Sequence, residues 1–396
     1  MRFTLASLLA PNNIPGLDDP HRCRFQICTT PADWNALQDD PMMVELRKFM
    51  QPEFLEIAEE KAGAHKYRRM TDGHLALTRK CYRDGACAIY VAPDTIIPDG
   101  CIVELQRLFR KGKKVVLCTA IRFDLEGVEA ELRRQGVLRS GAPLVLSRRD
   151  AVQVGLNNLH AESRAGNYDA GNFGELAPEH NRTNFPTCCY FEVPGEAGVV
   201  IHTHNWAPFM IDFSTLDRHD AAALERWAID GDYNYCNFGA TGVDRDIHIV
   251  RDSDSIILIG LTPGNEMVPS AKSQPIKTLP VIGDWTKGYM INRVVYDRQT
   301  DPLRRAIYPI PVRWHSRDIG PEWEEAEGRA RGIMAMYATV DLHPLKLFRR
   351  AGSSAERATW RQSGWGLRFL WNSFVLALIV STIHKSNYLW PLLWSY

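Results

Sequence analysis

The 396-residue chain has no net charge: 47 basic residues balance 47 acidic ones, and the pI is near 7.2. It therefore lacks the broad positive field that gathers nucleic-acid phosphates, and no long basic run appears, so nucleic acid is not an expected partner. Walker, GxSxG, HExxH and GxGxxG motifs are also missing, which removes the most specific enzyme signatures. No CxxC is followed by a second CxxC or by HxxxH, which excludes the usual structural zinc frameworks. Nine cysteines, an odd number lying mostly inside apolar segments, read as reduced, buried thiols of a cytosolic protein. There is no internal repeat and no low-complexity tract. A clean membrane span is lacking too: the uncharged run Phe369–Ile383 would cover roughly 22 Å as a helix, against a hydrocarbon core of roughly 30 Å.

What is present is a globular composition, 45% hydrophobic and 24% charged, long enough for two domains or one large one. The N-terminus, MRFTLASLLAPNNIPGL, has a short apolar run but no convincing cleavage site, and reads as mature sequence. From residue 23 to 135 short apolar runs alternate with amphipathic stretches. Strands are expected at 23–29, 53–58, 86–92 and 113–121, and helices at 41–50, 69–83, 99–110 and 124–135. Strands separated by helices of this length imply βαβ crossovers, hence a Rossmann-like, mixed but largely parallel sheet flanked by helices. Farther on, a helix is expected at 147–165, strands at 197–213 and 246–262, and a helix at 216–229. Another helix, over 321–339, opens with Pro321, Glu322, Glu324 and Glu325, as suits a helix N-terminus. This divides the chain into an α/β domain over 1–320, a helical extension over 321–350, and a linker with a hydrophobic helical tail over 351–396. Trp360, Trp365, Trp371, Tyr388, Trp390, Trp394 and Tyr396 in that tail, preceded by Arg349, Arg350, Arg357, Arg361 and Arg368, point to an interfacial or re-entrant membrane contact. An oligomer contact is the competing use of such an apolar segment.

Three sets of polar residues could carry chemistry. Thr29, Thr30 and Asp33 follow the first strand, Asp94 and Thr95 the third, and Arg122 the fourth. A parallel sheet would bring these loops to one edge, where amides, hydroxyls and a carboxylate can hold a base and ribose while arginine contacts phosphate. For TTPAD alone, a plain helix cap is the competing explanation. In Asp230-Gly231-Asp232 two carboxylates can face one divalent cation, Mn²⁺ or Mg²⁺, although Asp-Gly also suits a turn. His202 and His204 share one face of a strand, with Asp212 nearby, which suits a metal pair or contacts to sugar hydroxyls. His315, in VRWHSRD, is a further candidate without supporting spacing.

The succession LLAPNNIPGL, CTTPADWNAL, YRRMTDGHLALTRKCYRDGACAIYVAPDTIIPDG, GLNNLHAESRA, IHTHNWAPFMID and AIDGDYNY resembles a group of bacterial glycosyltransferase-like proteins of the GT-A class, over about residues 5–320. The resemblance implies one α/β domain that binds a nucleotide-sugar at the carboxyl ends of its strands, commonly with a divalent cation. It places Asp94 at the strand tip where the class usually carries a DxD, but Thr95 and Ile96 follow it here. Asp94 would then share a cation with Asp232, and Asp230 or Asp232 would be the general base, with His204 next in line. The tail suits a lipid-linked or surface-polysaccharide acceptor, and a protein peripheral to the cytoplasmic membrane face. Two readings compete: a metal-dependent hydrolase using His202, His204, Asp212 and Asp230, and a non-catalytic membrane-bound scaffold.

Overall fold

The computed structural model describes residues 2–57, 68–119, 121–175, 188–196, 198–203, 206–214, 246–266, 268, 275–278, 282–288 and 308–339. Its first half alternates strands and helices: α1 (Thr4–Leu8), β1 (Phe25–Thr29), α2 (Pro31–Leu37), α3 (Pro41–Leu46), β2 (Pro52–Glu56), α4 (Arg68–Asp84), β3 (Cys87–Ile89), β4 (Thr95–Ile96), α5 (Cys101–Arg110), β5 (Val115–Thr119), β6 (Ile121–Asp124), α6 (Leu125–Arg134), α7 (Arg148–Asn157) and α8 (Ala161–Arg164). The second half is richer in strands: β7 (Cys188–Val193), β8 (Gly198–Thr203), β9 (Trp206–Asp212), β10 (Ile247–Ile249), β11 (Ile259–Thr262) and β12 (Val312–His315), followed by α9 (Glu322–Thr339).

The helices form where the sequence caps them and spaces their apolar residues. Cys101, Ile102, Leu105 and Leu108 make the buried stripe of α5, an i, i+4, i+7 pattern. Asp124 accepts from Gly127 N to cap α6, and Ser147 accepts from Asp150 N to cap α7. The helix expected over 147–165 is broken, because Asn158 leaves helical geometry and His160 caps a new turn, α8.

β5 is buried at every position, as befits a strand covered on both faces. It lies in a sheet ordered β10-β5-β9-β3. β9 pairs antiparallel with both β3 and β5, and β10 pairs parallel with β5, so β3, β5 and β10 share one direction and β9 runs against them. Beyond β5 the chain continues into β6, beyond β10 into β11, and these two pair parallel, while β4 closes antiparallel on β11. β1 and β2 form a parallel pair, and α4 packs on β1, β2 and β3.

The sheets are thus mixed in orientation, with antiparallel pairings among the described strands outnumbering parallel ones. The departure from a largely parallel sheet comes mainly from residues 188–212, with β4 on β11 adding one more antiparallel pair. β7 and β8 are joined by a tight turn in which Gly195 has φ of 77°, and a connection that short can join only antiparallel neighbours. β12 adds antiparallel to the other side of β8.

The main core gathers β3, β5, β9 and β10 with α1, α3, α5, α6 and α7. A second core, around Tyr168, Phe191, Val200, Tyr308, Trp323 and Ala330, lies between β7, β8 and α9. Both belong to one unit, Met1–Ala338. The N-terminal segment is part of the first core: α1 is buried throughout, and Thr4 and Ser7 bind the backbone of residues 93–97. The hydrophobic tail lies outside the described residues.

Candidate functional site

The strand-tip edge is the first place where candidate residues converge. Asp94 follows β3, and its carboxylate accepts from Arg122 Nη1 at 2.9 Å. Arg122 lies on β6, with its own backbone fixed on both sides: its N–H donates to Ser163 Oγ, and its carbonyl accepts from His160 N. Between the two runs β11. Gly260 stands opposite Thr95 on one side and opposite Arg122 on the other, so the ion pair crosses a position that has no side chain. A Cβ there would sit 3.7 Å from Arg122 Cδ and Nη1. Thr95 has its backbone engaged by Thr4 Oγ1, which accepts from Thr95 N and donates toward the carbonyls of Pro93 and Thr95. Asp99 accepts from both Asn12 N and Asn12 Nδ2 at 2.7 Å, which ties the same loop to the N-terminal segment. The Asp94 and Arg122 side chains are each less than half exposed, so this carboxylate and guanidinium remain open to a ligand at a firmly held edge.

TTPAD is a helix cap. Thr30 Oγ1 accepts from Asp33 N at 3.2 Å, and the Asp33 carboxylate accepts from Thr30 Oγ1 at 3.0 Å and from Thr29 Oγ1 at 3.2 Å. These groups satisfy one another at the start of α2, with Thr30 as the N-cap. Among the described residues β1 pairs only with β2, so no backbone ladder joins this loop to the Asp94 edge.

His202 belongs to the second core. It is 0% exposed, its Nδ1 donates to the Tyr308 carbonyl at 3.2 Å, and Phe191 meets the ring edge-on. Burial pushes its pKa down to about 4, so the ring is neutral, and enclosed as it is it meets neither a ligand from solvent nor a sugar hydroxyl. Asp212 ends β9 and is buried, accepting from Ser214 N and Ser214 Oγ. His204, Asp230 and Asp232 lie outside the described residues.

A second convergence was not read from the sequence, apart from His315. A cavity of about 530 Å³ is lined by Arg107 of α5, Arg148 and Arg149 of α7, Asp252 and Asp254 of the β10–β11 connection, and His315 of β12. Asp252, Asp254 and His315 offer ligand atoms within 4.8 Å of one another. Residues 251–253 hydrogen-bond to Arg313 along β12, which fixes the aspartates beside the histidine. Arg149 donates to both oxygens of Asp254, at 3.1 and 2.8 Å, and this holds the Asp254 carboxyl below its usual range. Burial raises the Asp252 carboxyl, but the hydrogen bonds from His315 and from the Asp254 amide outweigh it and bring it below its usual range. The hydrogen bond to Asp252 raises the His315 imidazole above its own. The available signal was the D-S-D spacing shortly after β10, inside a stretch that alternation presents as strand.

Compared with models of known families, with curated proteins and with solved structures, the chain matches none. Among the described residues no helix is long and apolar enough to cross a membrane.

Proposed function

We propose that the protein is a glycosyltransferase of GT-A-like fold, moving a sugar from a nucleotide-sugar donor to a glycan or lipid-linked acceptor. The observation that carries this reading is the Asp94–Arg122 pair, at the edge where the segment that follows β3 meets β6 across Gly260 of β11. A carboxylate beside a guanidinium at such an edge offers an acceptor for ribose hydroxyls and a cation for diphosphate oxygens. In the transfer, the bond from the sugar anomeric carbon to the diphosphate oxygen breaks and one to the acceptor oxygen forms. The acceptor proton passes to a general base, and the charge left on the diphosphate is neutralised by arginine or a divalent cation. Asp230, Asp232 and His204 remain the proposed base candidates, and Asp94 with Asp232 the proposed holders of Mn²⁺ or Mg²⁺. Residues 351–396 are proposed to bring the protein to the cytoplasmic membrane face, where a lipid-linked acceptor resides.

The hydrolase alternative has less support, since His202, one of its ligands, is enclosed in the second core. The test is a thermal-shift panel of UDP, GDP, CMP and dTDP on the full chain, each with and without Mn²⁺. Stabilisation by one nucleotide that disappears in Asp94→Ala is the expected result. No stabilisation of well-folded protein by any of the four would refute it.

A further inference from the structure

The ring of His315 faces hydrogen-bond acceptors on both sides. Its Nδ1 lies 2.7 Å from the Arg317 carbonyl and its Nε2 2.9 Å from Asp252 Oδ1, with Asp254 Oδ2 at 3.9 Å from Nε2. A neutral imidazole has one N–H, so two acceptors require a second positive centre at the ring, either a further proton or a metal ion. With a metal ion in place of the Nε2 proton that now bonds Asp252, the carbonyl would keep the Nδ1 proton, which is how metal-bound histidines are oriented, and the Nε2 lone pair would face the cation. Three features favour a metal ion in that place. The Asp-Ser-Asp alternation presents both carboxylates, while Ser253, 1% exposed, turns inward and accepts from His315 N through Oγ. His315 itself is 2% exposed and braced edge-on by Trp323, so the ring is held in place. The cavity in front of the three ligands leaves room for further coordination.

The charges around the cavity then say what else binds. Three arginines, Arg107, Arg148 and Arg149, face three carboxylates, Glu104, Asp252 and Asp254. Arg107 pairs with Glu104, and Arg149 with both Asp254 and Asp318. Arg148 has no carboxylate in ion-pair reach among the described residues; its side chain bonds Cys101, while its Nε is buried without a hydrogen-bond partner. Gly100, with φ of +88°, makes room for its guanidinium: a Cβ at that position would lie 2.6 Å from Arg148 Nη2. A dication held by Asp252 and Asp254 would turn its open positions to the same cavity that Arg148 lines, and Arg148 is placed to hold an anion bound there.

We propose that Asp252, Asp254 and His315 bind a divalent transition-metal cation, whose open coordination positions are filled by a phosphate-bearing ligand held by Arg148. Two carboxylates with one imidazole suit Mn²⁺ or Zn²⁺ better than Ca²⁺, which favours all-oxygen shells. The site is separate from the Asp94 edge and does not depend on the transferase reading.

The test uses the full chain and Mn²⁺, with free ion followed by electron paramagnetic resonance, alone and with inorganic phosphate. One saturable site should appear and tighten when phosphate is added. Asp254→Asn, at a partly exposed position where folding is not at stake, should weaken Mn²⁺ at least about tenfold, and His315→Gln likewise. Arg148→Ala should leave binding of Mn²⁺ alone unchanged and abolish the gain from phosphate. Asp94→Asn should alter neither, which separates this site from the proposed donor edge. The cation site is refuted if Mn²⁺ fails to bind below millimolar concentration or binds wild type and Asp254→Asn equally. The phosphate-bearing ligand is refuted if phosphate gives no gain, or the same gain in Arg148→Ala.

Discussion

His202 should make the folded protein sensitive to acid, and the size of the effect follows from its surroundings. In the fold the ring is enclosed, its pKa is pushed down to about 4 by burial, and its hydrogen bond to the Tyr308 carbonyl and the charge of Glu327 offset that only in part. In the unfolded chain the imidazole titrates near its ordinary value of about 6.5. Below that pH the unfolded state binds a proton that the folded state refuses, so stability is complete above about pH 6.5 and declines as pH falls toward about 4. At about 1.4 kcal/mol per unit, the whole window is worth about 3 kcal/mol, of which about 2.5 is lost by about pH 4.5. The control is His202→Asn, whose amide can still donate to Tyr308 but does not titrate. Urea unfolding of both proteins at pH 7 and pH 4.5 gives the comparison. The variant starts lower by about 1 kcal/mol from altered hydrogen bonding and packing, yet should lose about 2.5 kcal/mol less than wild type on acidification. If both lose the same stability, His202 is not the buried neutral group described here.

Further outcomes test the candidate edge and the sheets around it. Asp94→Asn should remove nucleotide-induced stabilisation while shifting the unfolding free energy by no more than about 1 kcal/mol, because the ion pair is partly solvated; differential scanning fluorimetry with and without nucleotide reads both effects. Gly260→Ala should be tolerated, since its Cβ meets Arg122 only at ordinary contact distance, whereas Gly260→Leu should push the guanidinium off Asp94 and weaken the same nucleotide response at least about tenfold. Gly198→Ala should be severely destabilising, by about 3 kcal/mol or more, because φ is +150° and the new Cβ would stand 2.0 Å from the Trp314 carbonyl across the β8–β12 pairing; chemical denaturation measures it.

The parts of the fold that were legible in the sequence are those specified by local pattern. β1, α5, β5 and α6 fall within a few residues of where the alternation puts them, since an apolar stripe or a continuous buried run marks each one. What local pattern could not give is neighbourhood. GVVIHTH reads as a strand with two histidines on a shared face, but only the packing of α9 and Tyr308 against β8 shows that His202 points into a core. TTPAD taken alone reads first as a cap, and Thr30 and Asp33 form one by bonding to each other. Asp94 and Arg122 were both legible as strand-tip groups, but their pairing across Gly260 depends on β11, whose partners lie more than a hundred residues earlier in the chain.

The same distance hides the role of Asp252 and Asp254 from the sequence. The stretch from Ile247 to Thr262 reads as strand, but in the fold it is interrupted between β10 and β11 and lies beside Val115–Asp124, with β10 on β5 and β11 on β6. Its interruption is fixed at both ends by those ladders, and in the middle by Ile256 and Ile257, each 1% exposed, with Cys101 Sγ against the Ile257 carbonyl. One segment therefore supplies the aspartates of the cavity and, a few residues on, the glycine over which Asp94 and Arg122 meet. A turn held this firmly on all sides can keep two carboxylates aimed at a histidine, because the backbone has been fixed by sheet pairing and core packing before the charged groups are brought together. The chemistry of the Asp252–Asp254–His315 group thus depends on apolar residues of α5 and the two ladders, whose spacing carries no sign of the acidic turn they support.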